Sequence, residues 1–245
     1  MELERPVLSI YVMADRDTVE LAQAAVDGGA DALEIGIPFS DPLADGPTVQ
    51  RAGLRALAGG MTLRRALEVL GAVRERVPVP LIPMTYAGPV LAYGEEAFCA
   101  DAASAGADGL IVPDVPVDEA GDLLAGCRRH GLDLIPLLAP TSPDRRIELA
   151  CRSAGGFVYL VSVAGTTGAR SALGPRVAEL VSRVRSHTGL PLLVGFGIST
   201  PQHAADALAA GADGVIVGSR AIEAAEAGGA AGLREFVASL AAAMC

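Results

Sequence analysis

The sequence predicts an α/β fold, a single-domain (β/α)8 TIM barrel spanning residues 1–245. Three observations lead there: a phrase that recurs three times, eight short apolar runs alternating with helical stretches, and the lack of any polar edge strand or linker. The repeated phrase is Asp27-Gly28-Gly29-Ala30-Asp31-Ala32-Leu33-Glu34-Ile35-Gly36. It returns as Ser104-Ala105-Gly106-Ala107-Asp108-Gly109-Leu110-Ile111-Val112 and as Ala209-Ala210-Gly211-Ala212-Asp213-Gly214-Val215-Ile216-Val217. Each copy reads as an Ala-rich helix, a glycine at its end, and a short apolar strand. The copies stand about two and three βα units apart, at roughly 35–39 residues per unit.

Taken in order, strands are expected near residues 7–13, 31–37, 80–85, 108–112, 133–138, 157–161, 191–194 and 214–217, with helices between them such as 62–76, 117–130 and 176–187. Strands alternating with helices imply parallel pairing through right-handed crossovers. Since no strand is polar enough for an edge, the sheet is expected to close. Active sites of such barrels lie on the loops that leave the C-terminal ends of the strands. Two of those loops, 38–50 and 163–174, are longer than a usual βα connection of about two to six residues, and both suit a lid.

Composition narrows the function. About half of the residues are hydrophobic (51%) and the formal net charge is −10. That charge argues against a nucleic-acid or anionic-membrane partner, although backbone N–H groups at a helix start still bind an anion. The chain lacks a long apolar run, and its acidic Met1-Glu2-Leu3-Glu4 start is unlike a secretory leader. A soluble, cytoplasmic protein is therefore expected. Cys99, Cys127, Cys151 and Cys245, with His130, His187 and His203, show no metal-ligand spacing, so no metal site is expected.

Along residues 31–37 side chains alternate, placing Leu33, Ile35 and Ile37 on the helix side and Ala32, Glu34 and Gly36 inside the barrel. A buried carboxyl is costly unless paired or used. Glu34 is thus either a salt-bridged structural residue or a proton-transfer group, and the second role needs its pKa raised by burial. The small neighbours Ala32 and Gly36 are expected to leave room beside it. The following loop, Pro38-Phe39-Ser40-Asp41-Pro42-Leu43-Ala44-Asp45-Gly46-Pro47-Thr48, is rich in ordinary turn residues. Leaving the strand of Glu34, it also places an aspartate opposite that carboxyl. Late glycines follow three successive strands: Gly165-Thr166-Thr167-Gly168, Gly195-Phe196-Gly197 and Gly218-Ser219. They are plain βα turns or a phosphate cradle at a short helix, with Gly197 and Gly218 admitting close approach and Ser219 as N-cap.

Residues 33–50, from Leu33-Glu34-Ile35-Gly36 through Asp45-Gly46-Pro47-Thr48-Val49-Gln50, closely resemble the signature of the tryptophan synthase alpha chain family. Pro113-Asp114-Val115-Pro116, Leu138-Ala139-Pro140-Thr141, Tyr159-Leu160-Val161-Ser162 and the three glycine turns match in the same order over nearly the whole chain. The resemblance implies cleavage of indole-3-glycerol phosphate to indole and glyceraldehyde 3-phosphate. It makes Glu34 the acid–base catalyst and Asp45 the partner of the indole N–H. Tyr159 stands near that pair, Thr167 is a lid residue that holds Asp45, and Gly168, Gly197, Gly218 and Ser219 belong to substrate binding. It implies no cofactor in this chain, with pyridoxal phosphate only in a beta-chain partner. Departures bear on that partner. Only residues 1–6 precede the first strand where an extra helix is usual, Ala14-Asp15-Arg16 replaces Gly-Asp-Pro, and Gly88 replaces a common Asn in Ala87-Gly88-Pro89-Val90. A free-standing lyase that releases indole is therefore the alternative, and a catalytically weak activating subunit a more distant one. Arg220 occupies a usually small position, facing either phosphate or solvent.

Overall fold

The computed structural model describes residues 1, 3–162 and 175–244. Along the chain run β1 (Val7–Met13), α1 (Thr18–Asp27), β2 (Ala32–Gly36), α2 (Pro47–Ala58), α3 (Leu63–Arg74), β3 (Leu81–Met84), α4 (Ala87–Tyr93), α5 (Glu95–Ser104), β4 (Gly109–Leu110), α6 (Gly121–Arg129), β5 (Asp133–Leu134), β6 (Leu137–Leu138), α7 (Asp144–Ser153), β7 (Val158–Val161), α8 (Pro175–Arg185), β8 (Leu192–Gly195), α9 (Pro201–Ala209), β9 (Gly214–Val217) and α10 (Ser219–Met244). All pairings are parallel, with neighbours in the order β3-β2-β1-β9-β8-β7-β6 and a second pair β4-β5. Backbone bonds join the two groups into a ring. Ile111 N–H donates to Pro83 O (3.0 Å) and Thr85 N–H to Ile111 O (3.1 Å) on one side. Ile135 N–H donates to Leu110 O (2.9 Å) and Tyr159 N–H to Pro136 O (3.0 Å) on the other.

The run 133–138, expected as one strand, is split into β5 and β6. Pro136 has no N–H to give a neighbour, so regular pairing lapses there while its carbonyl still holds β7. The loop after β2 is also shorter than the expected 38–50. Gly46 is extended (ψ 165°) and Pro47 sits at the first helical position, where its fixed φ favours a helix start. The helix α2 therefore begins at once behind Asp45.

Side-chain alternation separates two cores. Leu8, Ile10, Val12, Leu33, Ile35, Val158, Leu160, Val215 and Val217 belong to the layer between strands and helices. Val7, Tyr11, Ala32, Ile82, Ile111, Phe157, Tyr159, Leu193 and Ile216 fill the barrel itself. The expected inward face of β2 is the observed one.

The repeated phrase has a mechanical meaning at the N-terminal end of the barrel. Its glycines Gly29, Gly106 and Gly211 all take positive φ (102°, 89° and 90°), the left-handed turn that stops a helix and suits a residue without Cβ. Its aspartates then stitch each strand to the one before. Leu8 N–H donates to Asp31 Oδ2, Leu81 N–H to Asp108 Oδ2 and Leu192 N–H to Asp213 Oδ2, each at 2.8 Å. Arg74 adds an ion pair to Asp108 at 2.8 Å through Nη2, which also donates to Val79 O, while Nε and Nη1 donate to the carbonyls of Gly106 and Val77. Asp108→Ala leaves both Leu81 N–H and Arg74 short of an acceptor. The expected loss is about 1–3 kcal/mol, read from the urea midpoint at an unchanged slope; a shift near zero would show that the stitch is not stabilising.

Candidate active site

Glu34 lies in the middle of β2 with Tyr11 of β1 and Ile82 of β3 as its register partners. It is 1% exposed, and its Oε1 has no hydrogen-bond partner among the described residues. Burial alone raises its carboxyl from 4.5 to about 8, so at neutral pH the group is a neutral acid. The salt bridge that is the structural alternative for Glu34 is not found among the described residues.

The room expected beside Glu34 is taken. A Cβ added to Gly36 would stand 1.8 Å from Tyr11 Oη, and one on Gly195 would stand 2.2 Å from Tyr159 Oη. Two tyrosines thus lie across glycines of the neighbouring strands, which is why β2 and β8 end in glycine. Both phenols are buried. Burial first, then the carboxyls of Glu34 and Asp45, hold each phenol well above its ordinary pKa, and both stay protonated. Tyr159 was legible in the sequence; Tyr11 was not singled out, although the alternation of β1 points it inward.

Asp45 closes the loop after β2, half-buried. Tyr86, just after β3, accepts a bond from Ala44 N–H at 3.1 Å and donates to the Asp45 carboxylate. Burial raises Asp45 from 3.8 to about 6, opposed by that phenol. Phe39 stacks on Tyr86 with centroids 5.6 Å apart. Asp41, by contrast, is exposed, and its carbonyl closes a turn with Leu43 N–H (3.0 Å). Of the two loop aspartates only Asp45 belongs to the pocket. Tyr86 was missed because nothing in its local pattern marks a residue that acts on a distant loop.

After β8, Phe196 and Gly197 both take positive φ (63° and 88°). A left-handed phenylalanine is strained; Ser162 Oγ donates to its carbonyl and its ring meets Tyr159 at 5.8 Å. Ile222 N–H donates to Gly218 O at 3.1 Å, so Gly218 is the N-cap of α10 and Ser219 stands inside the first turn, not at the cap as expected. A break at Gly229 (φ 60°, ψ −151°) makes the first part of α10 a short helix of its own. Gly46, the N-cap of α2, lies close by, since a Cβ there would stand 3.9 Å from Ser219 Oγ. Arg220 pairs with Glu223 (2.5 Å) and lies over Phe236 (5.6 Å), and Thr48 Oγ1 donates to the same Glu223 at 3.2 Å. Thr167 and Gly168 lie outside the described residues. Among the described residues, no group of His, Cys, Asp and Glu side chains could hold a metal ion, and no helix is long and apolar enough to cross a membrane.

The chain is thus a closed (β/α)8 barrel of the enzyme type, with a buried, neutral carboxyl, a second raised carboxyl and two shielded phenols gathered inside it and toward the C-terminal ends of its strands. The family model described as tryptophan synthase alpha chain matches residues 5–243. The tryptophan synthase alpha chain of Methanosarcina barkeri is 51% identical over 89% of this chain and 83% of its own, and that of Solibacter usitatus is 50% identical over 88% and 82%. Among solved structures, tryptophan synthase from M. tuberculosis matches with TM-score 0.91 and 40% identity, over 98% of this chain and 93% of that one. The tryptophan synthase A-subunit of Pyrococcus furiosus matches with TM-score 0.88 and 34% identity over 98% and 99%. The chain belongs to the tryptophan synthase alpha chain family.

The raised Glu34 carboxyl makes a stability prediction. The folded state holds that proton more tightly than the unfolded chain does, so between about pH 4.5 and pH 8 folding stability falls as pH rises. Glu34→Gln carries no such proton. The stability of this variant relative to the parent should therefore grow from pH 5 to pH 9 by at least about 1.4 kcal/mol, the value of one pKa unit. Parallel denaturant titrations of the two proteins check it, and a constant gap would mean that Glu34 ionises normally.

Proposed function

We propose that this chain cleaves indole-3-glycerol phosphate to indole and glyceraldehyde 3-phosphate. The observation that carries the proposal is the Glu34 carboxyl, buried inside the barrel with no counter-ion among the described residues and held neutral near pH 7. A retro-aldol cleavage needs an electron sink. The sequence contains no lysine, so no side-chain imine forms on this chain. The substrate supplies the sink instead: Glu34 protonates indole C3, and the ring becomes an indolenine whose C=N bond accepts electrons. The carboxylate then takes the proton of the adjacent glycerol hydroxyl, the bond between C3 and the glycerol carbon breaks, and its electrons restore the indole as the aldehyde forms. Asp45, ionised above about pH 6, accepts from the indole N–H and stabilises the positive charge that develops there. Tyr159 and Tyr11 wall the reacting atoms with neutral phenols. Gly197, Gly218 and Ser219 hold the phosphate at the start of α10; Gly168 is a further substrate-binding residue, and Thr167 is the lid residue that holds Asp45. Arg220 stays with Glu223 rather than with the phosphate. No cofactor is required of this chain, and the setting is the cytoplasm.

A beta chain carrying pyridoxal phosphate is the proposed partner. Leu43 (79% exposed) in the loop after β2 and Leu91 (64%) in α4 present apolar side chains to solvent, and one of the structural relatives is the α2β2 complex of Pyrococcus furiosus. Turnover of the purified chain, with and without a beta chain, separates this from a free-standing lyase: activation and complex formation on mixing support the subunit, and full activity alone with no complex supports the lyase.

Glu34→Gln should abolish indole formation while substrate still binds, and measurable cleavage by that variant would remove Glu34 from the mechanism. Asp45→Asn should lower kcat at least about a hundredfold, the scale of a lost charge-stabilising contact, with little change in phosphate affinity. Equal loss of both would point to a displaced loop instead.

A further inference from the structure

Within the barrel two polar atoms stand out, Ser9 Oγ and Glu34 Oε1. Both are fully buried, and neither has a hydrogen-bond partner among the described residues. They are neighbours by register. In the pairing of β1 with β2, Tyr11 stands beside Glu34 and Ser9 beside Ala32, one inward step lower. Ser9 and Glu34 are therefore diagonal neighbours on one face of adjacent strands, a separation that a long side chain spans. The rest of the surroundings of Ser9 is apolar: Val7 below it, Ala32 and Ile216 on either side. A lone hydroxyl in such a layer is costly unless bonded, and the register sets the unpartnered Glu34 carboxyl at the diagonal position of the adjacent strand, with no hydrogen bond formed between the two.

We propose that Ser9 is a positioning residue for Glu34, its hydroxyl and the carboxyl turning toward one another to form a hydrogen bond during turnover. The proposal rests on the cleavage reaction above, in which Glu34 gives up a proton and regains one in each cycle. A partner for such a group has to serve both of its states. A serine hydroxyl does so by rotating: it accepts from the neutral acid and donates to the carboxylate. An alanine does neither. The other ionisable groups around Glu34 come from above: Tyr11 of β1, Tyr159 of β7, and Asp45 of the loop before α2, itself held by Tyr86. β3 offers only Ile82 at the position beside Glu34. Ser9 is thus the partner on the closed side, aiming the carboxyl without touching substrate.

Steady-state kinetics of Ser9→Ala and Ser9→Thr from pH 6 to pH 9.5, with Glu34→Gln in the same series, test this. The expected result for Ser9→Ala is KM within about twofold of the parent and kcat lower by at least about tenfold, the scale of one hydrogen bond to a charged group. The Glu34 limb of the kcat/KM profile should move to higher pH, because the carboxylate has lost a donor. Ser9→Thr, which keeps the hydroxyl, should restore both. Should Ser9→Ala fold poorly, Ser9→Val fills the volume without a hydroxyl and gives the same reading. Unchanged kcat and pH profile in a well-folded Ser9→Ala overturn the proposal while an inactive Glu34→Gln leaves the reaction standing. Turnover in Glu34→Gln overturns the reaction itself.

Discussion

A carboxyl taken out of water, with no cation beside it among the described residues, is the constraint on which the site depends. Ionising Glu34 inside an apolar barrel is unfavourable, and the barrel answers by keeping the proton on it to about pH 8. The same lack of compensation that would be a defect in a purely structural residue makes a reservoir of one proton at neutral pH. The neighbouring groups preserve this state. Tyr11 and Tyr159 are buried phenols that add no charge, and Asp45 stands in a more open position where it ionises first. Differences of burial thereby hold two carboxyls a loop apart in different states at neutral pH, Glu34 protonated and Asp45 ionised.

Rigidity on the far side of the barrel makes such burial tolerable. The aspartates Asp31, Asp108 and Asp213 each tie a strand to the one before it, and arginines pair with two of them, Arg74 with Asp108 and Arg5 and Arg185 with Asp213. With the N-terminal end fixed, the C-terminal ends hold close approaches that a looser frame would relieve, such as Tyr11 over Gly36, Tyr159 over Gly195 and the left-handed Phe196. Stability sits at one end and chemistry at the other, the division usual for this architecture.

Much of this was legible in the residues. Period-two alternation placed Glu34 inside, since a parallel strand covered on both faces still sends successive side chains opposite ways. The repeated Gly and Asp marked the βα units because one turn geometry serves each of them. Less legible were effects made by groups far apart in sequence. The role of Tyr86 depends on a loop some forty residues before it, and the space beside Gly36 is lost to a ring from another strand. The N-cap of α10 went to Gly218 instead of Ser219 because a carbonyl, which every residue carries, decides where a helix starts. Resemblance to a family supplied the substrate, which alternation and spacing do not encode.

The account turns on the protonation state of one side chain, and that state can be observed directly. Carbon-13 NMR of the protein labelled at glutamate side-chain carboxyls, with Glu34→Gln to assign the resonance, follows Glu34 as pH is raised. A midpoint near 8 is the predicted result; a midpoint near the ordinary glutamate value, about 4.3, would contradict it and leave the barrel without its acid.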